Sequence, residues 1–159
     1  MAKTTISTFR RVLNWIGLAV VLTLLGISLI GFLAWRAESK YAQSAAPYLE
    51  ETLPTIVQWD AATIWALYSP EVREFISRED HNNIVHSLAR LGGLESLGRP
   101  RFLRVATSAT ARTGSMTIVS YEVPAKFENG EATIFVNLKD EDGEFSIYGF
   151  NVNSMALLQ

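Results

Sequence analysis

The chain has 159 residues, a formal charge of −2 and no cysteine, which is room for one ordinary domain plus an appendage. The missing cysteine excludes disulfides, a thiolate nucleophile and cysteine-ligated zinc. The charge is split: residues 1–36 hold Lys3, Arg10, Arg11 and Arg36 with no acid, a net +4, while residues 37–159 hold ten basic and all sixteen acidic side chains, a net −6 that argues against nucleic acid as a partner.

In chain order, residues 1–11 form a short basic tail. From Val12 to Trp35 no side chain is ionisable; as a helix rising about 1.5 Å per residue this stretch is roughly 36 Å long, enough to cross a hydrocarbon core of about 30 Å. Trp15 and Trp35 stand at its ends, where indole rings prefer the headgroup zone. A cleaved secretory signal is the rival, but signal cores are about 7–15 residues and end in a small-x-small site, whereas this run is longer and leads into Trp35-Arg36-Ala37. We therefore expect a retained single-pass anchor at 12–35, a lipid bilayer around it, a connection at 36–46 and an extracytoplasmic domain at 47–159. The lysine and arginine bias favours a cytoplasmic N-terminus. Ala19, Thr23 and Gly26 make a small-residue stripe on which another membrane helix could pack.

Beyond the anchor, Tyr41, Ala45, Tyr48, Leu49 and Leu53 recur at helical spacing, so the span could run on into a first domain helix. Pro47 predicts a kink or a fresh start. An apolar helical region covers Ile56, Val57, Trp59, Ile64, Trp65 and Leu67, interrupted near Pro54 and Asp60, with Asp60 placed to cap. Ser69-Pro70-Glu71 supplies a cap, a proline at the first position and an acid in the first turn for a short helix Pro70–Ile76. The next helix begins at Ser77 or Asp80, turns Ile84, Val85, Leu88 and Leu91 to one apolar face, and stops at Gly92-Gly93.

The remainder alternates as strands do. Val119, Tyr121, Val123, Ala125 and Phe127 share one side of a strand, and Ala132, Ile134, Val136 and Leu138 share one side of the next. Asn129-Gly130 is the expected turn between them, a pair favoured where both turn residues need positive φ. Asp140-Glu141-Asp142-Gly143 turns the chain again into Phe145–Asn153, and Phe102–Thr110 supplies an earlier strand. Helices first and strands after predict an α+β domain: an N-terminal transmembrane helix, then several short helices packed on a four-stranded antiparallel curved sheet.

The stretches SPE at 69–71, LGGLESLG at 91–98, AKFENGEATI at 125–134 and DGEFSIYGFNVNS at 142–154 give the chain a resemblance, across nearly all of 40–154, to small membrane-anchored bacterial proteins of the cystatin-like, nuclear-transport-factor-2-like superfamily. The resemblance implies helices over a curved meander with a cone between them. It also implies a bacterial inner-membrane setting with the domain in the periplasm. The superfamily includes enzymes, ligand carriers and assembly modules, and one similar arrangement is an assembly subunit of type IV secretion systems. Fold alone does not choose among these.

No catalytic constellation emerges. His81 and His86 are five apart and do not share a helix face as a zinc pair would, so neither a metal nor a cofactor is expected. His81 reads as a boundary residue and His86 as solvated. Acid/base chemistry in the cone would have to use Asp60, Tyr68, Tyr121 or Tyr148, and Asp60 already has capping work. Trp59, Trp65, Tyr68, Phe135, Tyr148 and Phe150 could line an apolar pocket, although aromatics in a domain this small more often build core. Arg99, Arg101 and Arg104 flank Phe102 and read either as the wet side of the first strand or as a partner contact. The expectation is a non-enzymatic, tethered protein-interaction domain, a subunit or accessory of an envelope membrane assembly. The alternative is a module or acid/base enzyme that uses the cone for a small apolar molecule.

Overall fold

The computed structural model describes residues 4–110 and 114–158; residues 1–3 of the expected tail lie outside them. The chain divides into two units, Met1–Ala37 and Glu38–Gln159. The first is helical throughout its described part, which belongs to helix α1 (Thr4–Ile56). Leu22, Leu25, Ile27, Leu29 and Ile30 all stand exposed on it. By length and composition this is a helix able to cross a membrane, the one such helix among the described residues. Lipid is the solvent in which apolar side chains on every face cost nothing.

In the second unit, residues 38–56 of α1 bury one stripe, Tyr41, Ala45, Leu49, Leu53 and Ile56, at the spacing that places side chains one above another on a helix. No fresh helix starts at Pro47: α1 runs through both Pro47 and Pro54. Both prolines are exposed, as are Gln43 and Glu50 four residues before them. The carbonyls left without an amide partner therefore lie on the wet side, where water replaces the lost bond.

Helix α2 (Ala61–Leu67) starts where expected, with the Asp60 carboxylate accepting from the amides of Ala62 and Thr63, both at 3.3 Å. Helix α3 (Pro70–Phe75) has its proline at the first position, but Ser69 makes no side-chain cap. Its amide instead donates to the Ile147 carbonyl at 2.9 Å, so tertiary pairing has taken over the corner. Helix α4 (Arg78–Leu88) is capped by Ser77, whose Oγ accepts from the Asp80 amide at 3.0 Å. Val85, Leu88 and Leu91 are buried as expected, while Ile84 is 49% exposed because its position falls outside that stripe.

The sheet has five strands, all antiparallel, one more than expected. They are β1 (Leu94–Leu97), β2 (Arg101–Thr110), β3 (Gly114–Phe127), β4 (Gly130–Glu141) and β5 (Glu144–Asn153). The expected meander is β2 to β5; β1 is the addition, paired to the end of β3 with Leu97 opposite Ala125. β1 and β2 thus lie end to end along the same edge of β3, separated by Gly98-Arg99-Pro100. Pro124 accounts for the break: it sits in β3 opposite that gap, where its missing N–H would otherwise leave a partner carbonyl unpaired. Its own carbonyl still accepts from the Gly98 amide at 2.8 Å.

The doubly positive geometry expected of the first hairpin turn falls at the second. The β3–β4 turn is Glu128-Asn129, one residue earlier than expected, with Phe127 paired to Gly130; neither turn residue has positive φ, and only Gly130 does, at 147°. The β4–β5 turn is Asp142-Gly143, with φ of 54° and 95°, the doubly positive geometry of a type I′ turn. Glu128-Asn129 is held from outside: the Asn129 amide donates to the Leu91 carbonyl at 3.0 Å, the Glu128 amide to the Gly93 carbonyl at 3.0 Å, and the Gly93 amide to the Glu128 carboxylate at 2.9 Å. One core joins α1, α2 and the helix-facing side of the sheet through Leu49, Leu53, Ile64, Tyr121, Ile134 and Leu138. Each such aliphatic side chain contributes about 1.5–3 kcal/mol when buried.

Candidate functional site

The residues expected to line one pocket are dispersed. Trp59 stands in the turn after α1 with its ring over Phe127, centroids 5.6 Å apart. Trp65 and Tyr68 do meet, at 6.2 Å, and both contact His81, at 5.2 and 5.3 Å; Phe150 stacks on Tyr68 at 6.3 Å. Tyr148 is exposed. Phe135 lies on the opposite side of the sheet, as its alternation with the buried Ile134 and Val136 requires. His81 is buried, not at a boundary, because its Nε2 lies 2.8 Å from the Ala61 carbonyl and the aromatic rings close over it; His86 is exposed.

Where a cone was expected, the helix-facing side of the sheet is filled by the chain's own side chains, Tyr121, Phe127, Ile134 and Leu138 among them. Tyr121 reaches across and donates its hydroxyl to the Tyr41 carbonyl at 2.9 Å. Burial pushes the Tyr121 and Tyr68 phenols up to about 12, which keeps both neutral at ordinary pH. Asp60 is exposed and held below its usual value by Thr63 and the Ala62 amide, the signature of its cap.

The other side of the sheet carries the arginines. Cross-strand register lays Arg101, Glu122, Phe135 and Asn151 in one row across β2, β3, β4 and β5, and Arg104, Ser120, Asn137 and Gly149 in the next. Arg101 forms an ion pair with Glu122. Ser120 donates to the Asn137 side-chain oxygen at 2.7 Å. Among the described residues Arg99 and Arg104 have no carboxylate partner. A shallow surface cavity of about 500 Å³ is lined by Arg99, Arg101, Glu122, Pro124, Thr133 and Phe135. The arrangement can grip a carboxylate with the arginines and an apolar side chain against Phe135.

Further along this side, α3 folds over the β5 edge and Glu71 reaches Lys139 at 2.6 Å, with Glu141 at 2.7 Å on the same ammonium. Burial works to lower the Lys139 value, and the two carboxylates, Glu141 and Glu71, outweigh it and raise it. The Lys139 ammonium in turn holds the Glu71 carboxyl below its ordinary range. A lysine held this way is a structural cation rather than a base.

In the span, Thr23 donates its hydroxyl to the Ala19 carbonyl of its own helix at 2.9 Å, and nothing lies within 4 Å of where a Cβ on Gly26 would stand. Among the described residues no group of His, Asp and Glu is placed to hold a metal ion. Comparison of the chain with protein families, with curated proteins and with solved structures finds no match. The sequence reading missed Glu122 and the Ser120–Asn137 pair as neighbours of the arginines. The side that Phe135 takes was legible from the strand alternation itself.

Proposed function

We propose that the chain is a membrane-anchored, extracytoplasmic protein-interaction domain of the bacterial inner membrane. In this reading the N-terminus is cytoplasmic, the domain is periplasmic, and the chain acts as a non-enzymatic subunit or accessory of an envelope assembly. The five-stranded antiparallel sheet preceded by helices also supports the cystatin-like, nuclear-transport-factor-2-like resemblance. The observation that carries the reading is the division of labour between the sheet's two sides: one is packed with buried side chains against the helices, while the other presents Arg99 and Arg101 beside Phe135, with Arg104 in the next row. A filled helix-facing side supports docking over a ligand cone. The partner is a membrane or envelope protein presenting carboxylates. Gentle detergent extraction and pulldown tests this: a stoichiometric partner should co-purify with the native chain and be lost from the double variant Arg101→Glu, Arg104→Glu. A monodisperse monomer without any partner contradicts it.

A further inference from the structure

The docking surface just proposed ends at a sheet edge that the chain leaves open. Among the described residues β2 pairs only with β3, and no backbone hydrogen bond runs from its outer edge. Strand geometry says which groups are free. The Phe127–Gly130 pair closes the β3–β4 turn, so alternate residues of β3 from Phe127 back to Val119 face β4, and Glu122 and Ser120 face β2. Their partners Arg101 and Arg104 therefore bond inward, and the irregularity at Leu103 restores the phase. Beyond it, the N–H and C=O of Val105 and Thr107 point off the sheet. From Val105 to Thr110 there is no charge and no proline, the devices that ordinarily blunt an edge.

We infer that β2 accepts an added strand, an extended segment of the partner in which acidic and apolar residues alternate. The inference rests on the docking reading above and names the partner's chemistry. Side chains of an incoming strand alternate as those of β2 do. On the open side they meet Arg104 and Arg101, and on the helix side they meet half-buried Val105. Among the described residues Arg104 has no carboxylate partner and Arg101 has one, Glu122, so this edge of a domain of net −6 keeps a cation for an incoming acid. A second copy of this chain is the poorer occupant, because antiparallel pairing centred on Val105 sets Arg104 opposite uncharged Ala106 and brings it no carboxylate.

The probe is an end-blocked hexapeptide, Glu-Val-Glu-Val-Glu-Val, titrated into the full chain in detergent, with Lys-Val-Lys-Val-Lys-Val as control. The inference expects binding of the acidic peptide, at least tenfold weaker binding of the basic one, and at least tenfold loss in Arg104→Glu and in Thr107→Pro. Proline at 107 deletes an outward-facing donor and the exposed hydroxyl contact to Thr117 at 3.3 Å, and it is tolerated on an edge. Should that variant fold poorly, amide exchange on the native chain decides instead: Val105 and Thr107 exchange quickly alone and slow several-fold with the acidic peptide. No binding up to millimolar peptide, equal binding of both peptides, or slowed exchange that depends only on the chain's own concentration overturns the inference, the last by giving the edge to a second copy. If the arginine variants lose the co-purifying partner while Thr107→Pro keeps it, the sheet-side docking stands and strand addition fails. If neither loses it, the docking reading itself fails.

Discussion

At the scale of single residues, Gly98 is set by what it touches. A Cβ there would come 2.6 Å from Cγ of Pro124 and 3.0 Å from its carbonyl oxygen, a stiff ring and a backbone atom, and neither can swing aside. Gly98→Ala is expected to cost about 1–3 kcal/mol, while Gly149→Ala, with nothing within 4 Å, should cost almost nothing; thermal melts of the two in the same detergent check this. The Glu71–Lys139 pair gives a pH dependence with a definite sign. Glu71 is depressed, so its contribution is present above the unfolded carboxylate value and is lost as pH falls through the folded one. Lys139 is raised, so its contribution is present below the unfolded lysine value and lost as pH rises through the folded one. Both are intact between about pH 5 and pH 10. Glu71→Gln, at a site partly open to water, should lose about 1 kcal/mol at pH 7 and flatten the acid limb of a melting-temperature profile measured from pH 3 to pH 7.

Among the elements, the β3–β4 hairpin earns its position through its turn. Glu128 and Asn129 take up backbone groups of Leu91 and Gly93, just past the end of α4, and Asn129 adds a side-chain bond to the Arg90 carbonyl at 2.8 Å. Glu128→Ala is expected to destabilise by about 1–2 kcal/mol, with the Gly93 amide showing the largest rise in hydrogen exchange. Gly92→Ala should be worse, since φ is +80° and the new Cβ would meet the Glu128 carboxylate at 2.7 Å. These bonds also explain what was legible in the sequence and what was not. The alternation of Val119 to Phe127 and of Ala132 to Leu138 gave both buried faces correctly, because a period of two is a local property. The turn type was missed because the residues that select it lie more than thirty positions away, as with Gly93 and Glu128. β1 was missed because its four residues, mostly exposed, carry no alternation to read.

For the molecule as a whole, one helix contains both an apolar stretch long enough for a bilayer and the stripe that packs on the sheet. That much was readable from composition and periodicity. The arginines were readable as a cluster, but not their setting: register across four strands, broken by a bulge at Leu103, brings Glu122, Phe135 and Asn137 beside them. The aromatics expected to line one pocket were dispersed for a similar reason, since the fold divides them between the sheet's two sides and the α1–α2 corner. The most direct test of the docking claim is photo-crosslinking in intact spheroplasts, with the crosslinking residue at position 104 on the arginine side or at position 86 on α4. The account predicts a discrete adduct with an envelope protein from 104 and none from 86. Adducts of equal yield from both positions, or none from 104, would contradict it.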